Sequence, residues 1–229
     1  MSGRDQSRVR PEEVSALILA AGKGQRMGDR PKAFLTAGAV TLIERVVALV
    51  RPYAREIVVG LPREAIDEGH RLLGGPQVTV VAGGTTRQET VANLLARAAR
   101  PLILIHEVAR PFAPPALFAR VLSAGKEYGA ATLFLPASRR DSVALKAGDS
   151  LGAPLAREKV IKLQTPNVFR RDILVEAGRL ANEQGWVETS TANLVVRAGN
   201  RVHLVRGTPD NIKLTDPEDW EAAVARLSK

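Results

Sequence analysis

Residues 14–32 read Val-Ser-Ala-Leu-Ile-Leu-Ala-Ala-Gly-Lys-Gly-Gln-Arg-Met-Gly-Asp-Arg-Pro-Lys, and the architecture of the chain follows from them. The first part, Val14 to Leu19, is an apolar run, interrupted only by Ser15, of the kind that becomes a buried strand. Gly22, Gly24 and Gly28 follow, giving a backbone that can take positive φ and lets a ligand approach closely. Four cations, Lys23, Arg26, Arg30 and Lys32, stand among the glycines against one acid, Asp29. Exposed backbone N–H groups and cations just beyond a strand are what a polyphosphate needs. The loop is not a Walker motif, because no Gly-Lys-Ser/Thr closes it, and it lacks Gly-x-Gly-x-x-Gly. A Gly-rich turn with solvated charges is the plain alternative.

Beyond this loop, short apolar runs alternate with amphipathic segments. Strands are expected at Ala16 to Ala20, within and just past that first run, and at Glu56 to Leu61, Gln77 to Ala82, Pro101 to His106 and Ala130 to Leu135. Helical patterns fall between them at 42–53, 63–73, 86–99 and 114–128. Thr41 with Glu44, and Thr86 with Glu89, predict capping boxes at two helix starts. Continuous Val/Ile/Leu strands separated by helices predict a doubly wound α/β domain, with a mostly parallel, Rossmann-like sheet. Ligands in such sheets bind beyond the carboxyl ends of the strands, the edge that the 20–32 loop occupies.

A chain of 229 residues is long enough for one large domain of this kind. Residues 1–13 form a polar lead-in without an apolar h-region, and 14–229 read as a single domain. No apolar stretch approaches the roughly 18 residues that cross a bilayer, so a cytoplasmic protein is expected. The absence of cysteine excludes disulfides and thiolate metal sites. A net charge of +9 raises nucleic acid as a partner. The surplus gathers around 20–32 and 139–171, however, and an aromatic content of 4% is too low for stacking platforms. A pocket for a multiply charged phosphate ligand fits better than nucleic acid.

Three more clusters fall at strand ends. Gly83-Gly84-Thr85-Thr86-Arg87 follows the Gln77–Ala82 run and opens a capped helix. His106-Glu107-Val108-Ala109-Arg110-Pro111 sets a carboxylate and a guanidinium three residues apart, for a metal, a phosphate or an ordinary loop ion pair. Asp210-Asn211-Ile212-Lys213-Leu214-Thr215 follows an apolar run at 202–205 and precedes a final helix. The histidines at 70, 106 and 203 share no ligand spacing. The polar, basic segment from about 137 to 165 breaks the rhythm. Its Val-Ala-Leu and Val-Ile-Lys-Leu runs suggest an extended hairpin, which is marginal alone and needs a second subunit to pack on.

Leu-Ala-Ala-Gly-x-Gly-x-Arg-Met with Pro31-Lys32 is similar to the signature of sugar-phosphate nucleotidyltransferases. Together with His106–Pro111, Asp141-Ser142, Thr165-Pro166-Asn167-x-Phe169 and Asp210–Lys213, the chain resembles the 2-C-methyl-D-erythritol 4-phosphate cytidylyltransferase family over about residues 14–226. That family acts in non-mevalonate isoprenoid synthesis.

The resemblance implies that a substrate phosphate oxygen attacks the α-phosphorus of CTP, with pyrophosphate leaving. Arg26 and Lys32 match the loop cations that hold the triphosphate, and Lys213 matches the second lysine at the reacting phosphate. Ala20, Ala21, Gly22, Gly24, Gly84, Thr85 and Thr90 match the nucleotide pocket. Glu107, Arg110, Ser142, Arg157, Thr165 and Thr189 match positions around methylerythritol phosphate. Ser142 and the catalytic Arg157 would come from the partner of a homodimer joined by the 137–165 arms. Magnesium is implied as cofactor, bridged mainly by CTP phosphates, with Glu107 as a further possible ligand. Glu107 replaces the family's usual Asp, Ser142 its Thr, and Thr189-Ser190-Thr191 lacks the usual acids. Those acids bear on the acceptor, so ribitol 5-phosphate or another polyol phosphate is the alternative. A non-catalytic nucleotide-binding protein on the same fold is the more distant one.

Overall fold

The computed structural model describes residues 9–22, 31–137 and 142–227. Strand β1 (Val14–Leu19) is followed by a small ribbon, β2 (Thr36–Ala37) and β3 (Val40–Thr41), and by α1 (Leu42–Val50). Then come β4 (Glu56–Leu61), α2 (Ile66–Leu72), β5 (Val78–Ala82), α3 (Arg87–Leu95), β6 (Leu102–Glu107), α4 (Pro115–Tyr128) and β7 (Ala130–Pro136). The remainder is a hairpin of β8 (Ala144–Ala147) and β9 (Ser150–Pro154), then β10 (Ile161–Arg170), α5 (Arg171–Gln184), α6 (Thr191–Arg197), β11 (His203–Arg206) and α7 (Pro217–Leu227).

Seven strands form one sheet in the order β11-β7-β10-β6-β1-β4-β5. Only β10 runs against its neighbours, β6 and β7; the other pairings are parallel. Alternate residues of each strand feed opposite faces. Ala16, Ile18, Ile57, Val59, Leu102 and Leu104 pack with α1 and α4. Leu17, Leu19, Val58, Ile103 and Ile105 pack with α3, α5 and α6. Both faces are covered, which is why these strands read as continuous apolar runs rather than alternating ones. The expected doubly wound α/β fold is therefore the observed one, and each buried Leu or Ile contributes roughly 1.5–3 kcal/mol.

At the start of α1 the capping box is complete. Thr41 Oγ1 accepts from Glu44 N at 3.3 Å, and Glu44 Oε2 accepts from Thr41 N at 2.8 Å. At α3 the box is only half formed. Thr86 Oγ1 accepts from Glu89 N at 3.0 Å, but the Glu89 carboxylate turns one residue upstream, to the amide and hydroxyl of Thr85. Gly84 permits this, since a Cβ there would collide with Glu89.

The arm differs from expectation. Val-Ala-Leu does not pair with Val-Ile-Lys-Leu; β8 pairs with β9 around Gly148, which has φ +59°. The Val160–Leu163 run instead joins the sheet, with Ile161 opposite Pro136 and Leu163 opposite Phe134. Ile161 and Leu163 gain burial there that an exposed ribbon cannot offer. Within 142–160, the described part that projects is the thin hairpin, with Leu145, Leu151 and Leu155 exposed.

Candidate active site

The segments that follow β5, β6 and β11 leave one edge of the sheet, as do residues 20–22 after β1, and β10 starts there because it runs the other way. Ala20 is buried at the end of β1, its amide bonded to Gly60 O at 3.0 Å, and Ala21 and Gly22 lead into the loop. Gly24 and Arg26, expected in the nucleotide site, lie outside the described residues. Gly83 must be glycine here, because a Cβ would strike Ala21. Beside it, Thr90 Oγ1 accepts from Gly84 N at 3.0 Å and donates to Thr86 O at 2.9 Å. Thr90 is buried, so it shapes the loop that presents Thr85.

Glu107, Arg110, Thr165, Thr189 and Lys213 come together in one cavity of about 150 Å³, although they span 107 positions in sequence. Arg87, Leu163, Gln164, Asn167 and Ser190 complete its walls. The Glu107 carboxylate is its electrostatic centre. Arg87 Nη1 meets Oε1 at 2.9 Å, Lys213 Nζ meets Oε2 at 3.1 Å, and Arg110 Nε lies 3.6 Å from Oε2. Burial pushes the Glu107 carboxyl up, but Arg87, Lys213 and Arg110 outweigh burial and hold it below the usual carboxylate range. Burial likewise lowers Arg110 from its ordinary value, with Glu107 opposing. Three cations against one acid leave a positive surplus for an anionic ligand.

The segment bearing Lys213 is fastened from several directions. Leu214 N donates to Ala109 O at 2.8 Å, and Arg110 Nη1 donates to Asn211 O at 2.6 Å. Lys32 Nζ donates to Leu214 O at 2.6 Å, so the cation from the β1 loop stands beside the Lys213 backbone. Asn211, fully buried, donates through Nδ2 to Thr165 O at 2.8 Å. Asn167 Oδ1 is a buried acceptor without a hydrogen-bond partner among the described residues. Ser142 and Arg157 are exposed on the arm and outside the residues that line this cavity.

Sequence reasoning left Arg87 and His106 outside the site. A signal existed for Arg87. A cation in the first turn of a helix opposes the macrodipole, so it calls for an acid nearby, and Glu107 is that acid. His106 offered no such signal, because its role comes from contacts across the sheet. Among the described residues, no group of three or more His, Asp or Glu side chains is arranged to hold a metal. Glu107 is already ringed by cations, so the described residues offer no cage of their own, and a magnesium ion here would have to be held chiefly by a ligand's phosphate oxygens.

A strand-edge site with a Gly-rich loop, buried carboxylate and convergent cations marks a nucleotide-handling α/β enzyme, a nucleotidyltransferase. The family model described as 2-C-methyl-D-erythritol 4-phosphate cytidylyltransferase (IspD) matches residues 14–229, and the chain belongs to that family. It is 42% identical to the enzyme of that name from Thermus thermophilus over 213 residues, 93% of this chain and 96% of the relative. The Deinococcus radiodurans enzyme is 38% identical over 212 residues, 93% and 88% of the two chains. The crystal structure of the Thermus thermophilus enzyme superposes with a TM-score of 0.80 at 39% identity, covering 95% of this chain and all of that one. The 4-diphosphocytidyl-2C-methyl-D-erythritol synthase of Anaerococcus prevotii gives 0.83 at 25% identity, covering 96% and 98%. No described helix is long and apolar enough to cross a membrane.

Proposed function

We propose that this protein is a cytoplasmic enzyme that joins CTP to 2-C-methyl-D-erythritol 4-phosphate. A phosphate oxygen of the acceptor forms a bond to the α-phosphorus of CTP. The bond from that phosphorus to the bridging oxygen breaks, its electron pair leaving with pyrophosphate. The observation that carries the reading is the cavity in which Lys213, Arg110 and Arg87 face one carboxylate, beside the loop that bears Lys32. Such chemistry needs little beyond positioning and charge stabilisation, which fixed cations supply.

The cavity wall also offers acceptors suited to hydroxyl groups: Glu107, Thr165 and Asn167 Oδ1, which has no hydrogen-bond partner among the described residues. One end of the acceptor is thus recognised as phosphate and the other as polyol. Ala20, Ala21, Gly22, Gly24, Gly84 and Thr85 are assigned to the cytidine nucleotide, with Thr90 supporting them, and Arg26 and Lys32 to its triphosphate. Magnesium brought in with the triphosphate would supply charge neutralisation. Two chains pair through their arms, whose exposed Leu145, Leu151 and Leu155 want a partner surface. Ser142 and Arg157 then serve the neighbouring site. The test is pyrophosphate release from CTP and magnesium with a panel of polyol phosphates. Methylerythritol phosphate should have the highest kcat/KM, and a preference for ribitol 5-phosphate would transfer the assignment to that acceptor, a result that Ser190 in place of an acid makes worth seeking.

A further inference from the structure

We infer that His106, held neutral with its hydrogen on Nε2, is a positioning residue for the acceptor half of the site; this rests on the cytidylyltransferase reading above. His106 is the penultimate residue of β6, fully buried, and its ring lies edge-on to Phe118 with centroids 5.2 Å apart. Two hydrogen bonds fix its tautomer. Nε2 lies 3.0 Å from the carbonyl oxygen of Arg110. A carbonyl only accepts, so Nε2 carries the hydrogen. In a neutral ring Nδ1 is then a bare acceptor, and the atom 3.1 Å from it is Thr165 Oγ1. The Thr165 hydroxyl must therefore donate to the ring.

That assignment propagates. With its single hydrogen spent on His106, Thr165 Oγ1 accepts from the amide of Glu107 at 3.2 Å. The chain runs from Glu107 N–H to Thr165 O–H to Nδ1, and from Nε2–H to Arg110 O. It starts and ends on one turn, whose own closing bond is Arg110 N to Glu107 O at 3.0 Å. His106 thus staples β6 and β10 around the four residues that carry both the site's acid and its buried guanidinium. It also decides what Thr165 offers the cavity. The hydroxyl has a lone pair left and no hydrogen, so it receives a substrate O–H and cannot donate to a phosphate oxygen. His106 touches none of the cavity itself and acts through Thr165, Glu107 and Arg110.

The test combines a spectroscopic and a kinetic readout. In a His70→Gln, His203→Gln background only one imidazole remains, and its nitrogen-15 spectrum near neutral pH should show a protonated Nε2 and an unprotonated, hydrogen-bonded Nδ1. His106→Phe keeps the ring's shape and removes both bonds. It should raise the KM for methylerythritol phosphate by roughly tenfold while leaving the KM for CTP within about twofold. Thr165→Val, which also removes an oxygen from the cavity wall, should cost more than His106→Phe, and the two changes together should cost less than the sum of their separate losses, because both cut one chain. If His106→Phe fails to fold, His106→Gln, which keeps a donor, is measured in its place. A parent that releases no pyrophosphate from CTP with any acceptor overturns the functional reading. An active parent with its ring hydrogen on Nδ1, or a variant that moves both KM values equally, overturns the role given to His106.

Discussion

Lys32 and Leu214 are 182 residues apart in sequence, yet the Lys32 ammonium donates to the Leu214 carbonyl at 2.6 Å. Lys32, at the described end of the segment after β1, is therefore tied to the segment bearing Lys213. Lys213 in turn reaches Glu107 at 3.1 Å, so a single substitution at Lys213 tests the whole cation cluster. Lys213→Ala should lower kcat by about 100- to 1000-fold, the usual cost of removing a group aimed at transition-state charge, and weaken CTP binding far less. Pyrophosphate release measured across CTP concentrations checks this, and near-normal turnover would remove Lys213 from the mechanism.

Arg87→Gln takes away one of the cations that, against the upward push of burial, hold Glu107 low. The carboxyl must then titrate at higher pH. The acid limb of kcat/KM for the acceptor should move upward in pH, with a loss of roughly tenfold near neutrality. An unmoved limb would separate Glu107 from that ionisation.

The pH dependence of stability has a definite sign. Burial lowers His106 from 6.5 to about 4, so between these values the unfolded chain takes up a proton that the folded one refuses. More protons on the unfolded state mean stability falls as pH falls. Glu107 is also lowered, but its contribution is lost only below its ordinary 4.5. Denaturant melts between pH 6.5 and 4.5 should therefore show a loss on the order of 2 kcal/mol from His106. His106→Phe should flatten that interval.

Ser190 shares the cavity wall with Arg87. Ser190→Asp restores the acid that the family resemblance leads one to expect. Use of methylerythritol phosphate should improve or stay level. A variant that loses this activity, beside a parent that prefers another polyol phosphate, assigns the other acceptor.

Lys32→Ala and Arg157→Ala should each be inactive and should complement on mixing. In a two-fold dimer with shared sites, half of randomly assorted dimers are mixed and each has one intact site, giving up to roughly a quarter of parental activity. Mixing that restores nothing despite subunit exchange would place Arg157 in its own chain's site.

Much of the fold was legible because β1, β4 and β6 are buried on both faces and carry little but aliphatic side chains, and the half-buried edge strand β5 is aliphatic but for Thr79. The capping box at Thr41 was legible for the same local reason. Strand β10 was not, since Gln164, Thr165 and Asn167 are buried polar residues, and the partners of Gln164 and Thr165 lie in the 208–211 segment and at His106. Helix α5 buries chiefly Leu174, Ala177 and Ala181, a narrow stripe with two small residues that gives a weak period. The carboxylate and cations of the site stood at strand ends and could be read there. The hydrogen-bond chain through His106 depends on β6 and β10 meeting antiparallel, which no local pattern specifies.

Strand β10 leaves the base of the hairpin at Ile161 and reaches Thr165 four residues later, within the same stretch of sheet. The projecting hairpin and the Thr165 part of the cavity wall are thus carried by one continuous segment of chain. An engineer exchanging arms between relatives should cut after Thr165 and Asn167 rather than at the visible foot of the hairpin. A graft ending at residue 160 would join a foreign arm directly to a strand whose first pair, Ile161 with Pro136, must keep its register.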